Sequence, residues 1–123
     1  NVLLTERGAS FGYNRLVADM RSIPIMQELG APACFDATHV IRLYGISSAD
    51  PAGGEPRFVP HLTLAGVAAG ADALFLETHP NPIEAKCDAA SQLNLKHYEN
   101  LLRMSVEVRK AIKSPEHVGE MRF

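Results

Sequence analysis

No apolar run in this 123-residue chain approaches the ~20 residues that a membrane-spanning helix requires. The opening residues, NVLLTER, also lack the charged-then-apolar layout of a secretory signal peptide. Charge of one sign is scarce: 12 Lys and Arg face 14 Asp and Glu, a formal net charge of −2. Binding a polyanion needs clustered cations, so a broad nucleic-acid or membrane-binding surface is excluded, while a local anion site remains open. Cysteine is limited to Cys34 and Cys87, without CxxC spacing. Both are read as reduced, partly buried thiols of a cytoplasmic protein. What remains is an ordinary globular composition, 46% hydrophobic and 21% charged, in a length that suits one core. The chain starts almost inside a strand-like run, with no initiator methionine, and is read as a piece of a longer one.

Three short apolar runs are present, and each ends in ionisable residues. Val2-Leu3-Leu4-Thr5 leads into Glu6-Arg7, Ala33-Cys34-Phe35 into Asp36-Ala37-Thr38-His39, and Ala73-Leu74-Phe75-Leu76 into Glu77-Thr78-His79. These predict strands over about 2–5, 33–36 and 73–76. Their apolar character throughout, rather than alternation, predicts cover on both faces. Between them lie helix-like segments. Ser22 as N-cap, Pro24 in the first turn and Gly30 as terminator predict a helix over 22–30, with Ile23, Met26 and Leu29 facing the sheet. A second helix is expected over 57–70, using Val59, Leu62, Leu64 and Val67. A third is expected over 96–113, using Leu101, Leu102, Val106, Val108 and Ile112. The segments 8–21 and 89–95 read as loops, 45–56 as a long mobile loop, and 114–123 as a loosely held tail. Strands alternating with helices give the fold class α/β, with βαβ units, a parallel sheet and right-handed crossovers.

In such folds chemistry sits at the carboxyl ends of the strands, so Arg7, His39 and Glu77 are expected on one face. Singly, each would be an ordinary ion pair or cap. Together they must satisfy one another, a metal or a charged ligand, because burying an unpaired ion costs several kcal/mol. Arg7, followed by Gly8, matches phosphate or carboxylate through paired hydrogen bonds, and Glu6 or Asp19 are equally open as its partners. His39, Glu77 and Asp88 offer one imidazole and two carboxylates, a set that suits a divalent metal. The alternative is that Asp88 only caps a turn. His79, before Pro80, is read as shaping a turn. His61, His97 and His117 are read as solvated, and Arg21 as structural. The carboxylate of Asp88 disfavours a thiolate at Cys87, so that thiol is read as unreactive.

The strings NVLLTERGASFGYNRLVADMRSIPIM, FDATH, GGEPRFVP, LFLETHPNP and AKCDAASQL closely resemble the 3-deoxy-D-manno-octulosonate 8-phosphate synthase family, from residue 1 to about residue 102. Its members are (β/α)₈ barrels, which take about 250 residues. The resemblance places residues 1–113 at strands six to eight of such a barrel. It implies condensation of phosphoenolpyruvate with D-arabinose 5-phosphate and water, releasing phosphate, in the synthesis of lipopolysaccharide. It also implies a homotetrameric parent protein. Carried over by motif, Arg7 would bind phosphoenolpyruvate and His39 would lie near its phosphate. In metal-dependent members His39, Glu77 and Asp88 would be three of four ligands to Mn, Zn or Fe. The fourth position, Cys or Asn on the first barrel strand, is outside this chain, so the metal class stays open.

The chain departs from the family pattern in the loop after DATH. Where members commonly read DATHSVQ and LPGG, it has Val40-Ile41-Arg42 and Leu43-Tyr44-Gly45-Ile46. Arg42 thus stands at a substrate-proximal Gln position and adds a cation that could attract phosphate. Two other readings compete. One is the related 3-deoxy-D-arabino-heptulosonate 7-phosphate synthase, which usually carries DPSH in place of DATH. The other is a truncated, non-catalytic chain that at most binds phosphate.

Overall fold

A computed structural model describes residues 1–112. The expected tail at 114–123, with His117, lies outside the described residues. The chain forms strands β1 (Leu4–Glu6), β2 (Ser10–Phe11), β3 (Leu16–Val17), β4 (Ala33–Asp36), β5 (Ala73–Phe75), β6 (Thr78–His79) and β7 (Leu93–Asn94). Its helices are α1 (Ser22–Glu28), α2 (Val59–Ala68) and α3 (Tyr98–Ala111). β1, β4 and β5 make a parallel sheet in that order, with Glu6 beside Phe35 and Asp36 beside Phe75. Three βα units are therefore present, β1 with α1, β4 with α2 and β5 with α3, as the alternating pattern requires.

The core forms where the helices cover the central strand. All four β4 residues are buried, and Phe35, Ile23 and Val59 are fully so. At roughly 25 cal/mol per Å² of apolar area, burying a side chain such as Phe35 contributes about 2–3 kcal/mol. Cover on both faces holds only for β4. β1 and β5 are the edges of this sheet, and Phe75 and Leu3 are exposed there. The helix faces are also narrower than expected. Leu29 falls just past the end of α1 and is exposed, and Val106 of α3 points to solvent.

Four local expectations are corrected. The first strand runs 4–6 rather than 2–5, because Glu6 has partners that let a carboxylate be buried in a strand. Ser22 is the first residue of α1, not its N-cap; Arg21 holds that position. The Ser22 hydroxyl instead donates to Glu6 Oε2, while Gly8 N–H donates to Glu6 Oε1 at 2.6 Å. Segment 8–21 contains the antiparallel β2–β3 hairpin, turned by Tyr13 and Asn14, both at positive φ. The 89–95 loop contributes β7, which pairs in parallel with β6.

The 45–56 loop is anchored rather than mobile. Leu43 N–H donates to Gly53 C=O, Glu55 N–H to Ile41 C=O, and Ala90 N–H to Ser48 C=O, at 2.9–3.2 Å. Gly54 is required by close approach, since a Cβ there would stand 2.3 Å from the Ala90 carbonyl oxygen. Arg15 on the hairpin pairs with Glu55 at 2.9 Å and ties the two loops together. Among the described residues no helix is long and apolar enough to cross a membrane.

Candidate active site at the strand ends

The site starts from Asp36, the last residue of β4. Its Oδ1 accepts from Thr38 N–H and Thr38 Oγ1–H, both at 3.1 Å, and from His39 N–H at 3.0 Å. An Asp accepting from backbone amides two and three residues on closes a tight turn without other support. The turn brings the His39 ring back over its own strand, where Nδ1 stands 2.7 Å from Asp36 Oδ2. An ionised carboxylate only accepts, so Nδ1 carries the proton and Nε2 presents its lone pair to the cleft. Phe75 packs against the His39 ring, with centroids 5.7 Å apart.

β1 supplies Arg7. Its Nε lies 3.7 Å from Asp36 Oδ2, and its side chain is half exposed. Neither partner that the sequence left open takes it. Glu6 is held by Gly8 and Ser22, and Asp19 forms a paired contact with Arg21 at 2.7–3.1 Å. That contact holds the Asp19 carboxyl below its ordinary range and raises the Arg21 guanidinium. Arg21 is therefore structural, and Arg7 keeps most of its donors for the cleft. Gly8, at φ +92°, lets the backbone turn directly beneath it.

Glu77 follows β5 by one residue beyond Leu76. Its N–H donates to Thr38 Oγ1 at 3.3 Å, so the DATH turn also sets the third strand end. Glu77 Oε1 lies 3.6 Å from His39 Nε2, and its Oε2 accepts from Gln92 Nε2 at 3.2 Å. Asp88, at φ +48°, caps the turn that follows it through its main-chain carbonyl, which accepts from Ser91 N–H at 2.8 Å. This leaves its carboxylate directed toward the site. The ligand atoms of His39, Glu77 and Asp88 all lie within 4.8 Å of one another. Arg42 Nη1 donates to Asp88 Oδ1 at 3.0 Å, and Nη2 to Ile46 C=O at 3.3 Å. A cleft of about 290 Å³ opens here, lined by Arg7, His39, Arg42, Tyr44 and Asp88 among others.

Arg7, His39, Arg42 and Asp88 thus line one cleft, and Glu77 stands beside it against His39. Asp36, Thr38 and Gln92 were not singled out, although they orient the others. The spacing of Asp36, Thr38 and His39 was a readable signal of a side-chain-closed turn; nothing local pointed to Gln92. His79 shapes its turn by donating from Nδ1 to Asn81 C=O at 2.7 Å, and His61 and His97 are exposed. Cys34 is buried in β4, and its thiol is pushed up by that burial, then by the Asp36 charge. Cys87 is exposed rather than partly buried.

The family model described as the DAHP synthetase I family matches residues 1–114. The chain belongs to this family. Curated family relatives named 2-dehydro-3-deoxyphosphooctonate aldolase share its sequence closely, as the octulosonate motifs led one to expect. The protein from Protochlamydia amoebophila is 50% identical over 113 residues, covering 92% of this chain and 41% of the relative. The one from Desulfosudis oleivorans is 53% identical over 112 residues, covering 90% and 40%. A solved phospho-2-dehydro-3-deoxyheptonate aldolase (DAHP synthase) from Thermotoga maritima superposes with a TM-score of 0.73 at 25% identity, over 89% of this chain and 30% of that one. The chain spans about two fifths of the length of the curated relatives it matches. The fold is therefore three βα units of the kind found in that synthase.

The donor set fits a divalent ion. Nitrogen and oxygen ligands to zinc or manganese lie at about 2.0–2.2 Å, so ligand atoms within 4.8 Å of one another need close only slightly. His39 already has its outer nitrogen fixed by Asp36, and Glu77 is held by Gln92; both are the supports that metal ligands require.

Proposed function

We propose that this chain carries part of the active site of a synthase that joins phosphoenolpyruvate to D-arabinose 5-phosphate. The products are 3-deoxy-D-manno-octulosonate 8-phosphate and phosphate, a step in lipopolysaccharide precursor synthesis in the cytoplasm. The observation that carries the reading is the meeting of Arg7, His39 and Glu77 at one rim, in a chain whose relatives bear the octulosonate name. In this reaction C3 of phosphoenolpyruvate bonds to the aldehyde carbon, water oxygen adds at C2, and the C2–O bond to phosphate breaks.

Arg7 would receive the phosphate or carboxylate of phosphoenolpyruvate, since its guanidinium is half exposed and matches either group. Arg42 lines the same cleft, with its guanidinium held on Asp88. His39 is the catalytic candidate. With Nδ1–H fixed on Asp36, its Nε2 can take a proton from water or return one to the departing phosphate. Glu77, 3.6 Å away, stabilises that ring when it is charged. If the longer protein is metal-dependent, His39, Glu77 and Asp88 would hold the ion. A divalent ion supplies Lewis-acid polarisation of a water or the aldehyde oxygen.

The heptulosonate reading draws support from the Thermotoga synthase, but at 25% identity against about half for the octulosonate relatives. Product analysis of the full-length protein with arabinose 5-phosphate and erythrose 4-phosphate separates them. Octulosonate 8-phosphate should dominate, and a clear preference for erythrose 4-phosphate would refute the proposal. The chain alone should show no turnover. Among the described residues both outer strands of its three-stranded sheet have unpaired edges, with exposed Val2, Leu3 and Phe75 along them.

A further inference from the structure

Asp88 is claimed twice in this site. It belongs to the His39–Glu77–Asp88 cluster, and it is also the ion-pair partner of Arg42. We infer that Arg42 is a built-in cation that occupies the place of metal charge at Asp88, so that a divalent ion must displace it to gain the third ligand. This rests on the reading of His39, Glu77 and Asp88 as a metal-binding set.

The geometry commits Arg42 to that task. His39 and Arg42 stand at the two ends of one turn, closed by Arg42 N–H donating to His39 C=O at 3.1 Å, so the turn that delivers the imidazole also delivers the guanidinium. Nη1 is on Asp88 and Nη2 on the Ile46 carbonyl, which together fix the planar group. Nε is buried without a hydrogen-bond partner among the described residues. A pose that leaves one donor unmet is held because the charge-assisted bond to Asp88 outweighs the loss. Both side chains are about three-quarters buried or more, at 20% and 27% exposure, so solvent screens the pair only in part. A fixed positive charge touching one ligand repels an incoming divalent ion and neutralises the carboxylate that would bind it.

The probe is Mn²⁺ alone, titrated at constant pH and followed by the paramagnetic resonance signal of the unbound ion. The proteins are the native chain, Arg42→Gln, Arg42→Met and Arg42→Gln with Glu77→Gln, each checked for native helix content by circular dichroism. Two neutral variants guard against one failing to fold, since Met keeps the apolar stem in place. Either neutral variant should bind Mn²⁺ about tenfold more tightly than the native chain, or better, because the repulsion and the competition are removed together. The added Glu77→Gln should abolish that gain. Native binding that is lost with Glu77→Gln but unchanged in Arg42→Gln and Arg42→Met would overturn this inference and leave the metal-binding set standing. No Mn²⁺ binding by any of the proteins would overturn both.

Discussion

Asp36 is the residue on which the site turns. One buried carboxylate accepts from two main-chain amides, a hydroxyl and an imidazole, with the Arg7 guanidinium beside it. Replacing it by Asn removes the charge and sets an NH₂ group against donors on one side. Leaving buried donors unmet costs about 1–3 kcal/mol, so Asp36→Asn should lower unfolding stability by about 2 kcal/mol in a urea titration. An unchanged midpoint and slope would show that the carboxylate does not organise the turn. The ionisable strand ends were legible because Arg7, His39 and Glu77 each follow an apolar run. Asp36 was hidden in plain view within the same run, since a carboxylate closing its own turn looks like any other strand-end acid.

At the scale of elements, the three main strands and three helices were legible from periodicity, and their joints were not. The β2–β3 hairpin escaped because its turn uses Tyr13 and Asn14 at positive φ, where glycine is the usual signal. The anchoring of 45–56 escaped because Gly53-Gly54 reads locally as slack, whereas Gly54 admits the Ala90 carbonyl from 36 positions away. One joint can be tested by pH. Asp72, exposed between α2 and β5, accepts from Gln27 Nε2 and from Ala33 N–H, both at 2.9 Å, linking α1, β4 and β5. The Gln27 hydrogen bond first, then the Ala33 amide, hold its carboxyl below the ordinary value against desolvation, with the charge of Arg109 adding the least. A lowered folded-state pKa means stability that is present above the unfolded value near 3.9 and is lost as pH falls through the folded one. Asp72→Ala should therefore be less stable than native by on the order of 1 kcal/mol at pH 7, given the exposure of the group. That difference should shrink steadily below about pH 4. A difference that stays constant down to pH 2 would show that the ionised form is not what holds the joint.

Across the whole molecule, one sheet gathers what the sequence scatters. β1, β4 and β5 lie side by side and parallel, so residues 7, 39 and 77 leave the sheet at the same end. The sheet's open edges belong to the same geometry: what makes the rim continuous also leaves both outer strands able to pair further. The central claim is that this rim is an anion site led by Arg7. Calorimetric titration of phosphoenolpyruvate into the native chain and into Arg7→Ala tests it most directly. The native chain should bind, and Arg7→Ala should bind about tenfold more weakly or worse, the loss of one charge-assisted contact. Equal affinity in the two proteins would contradict the account.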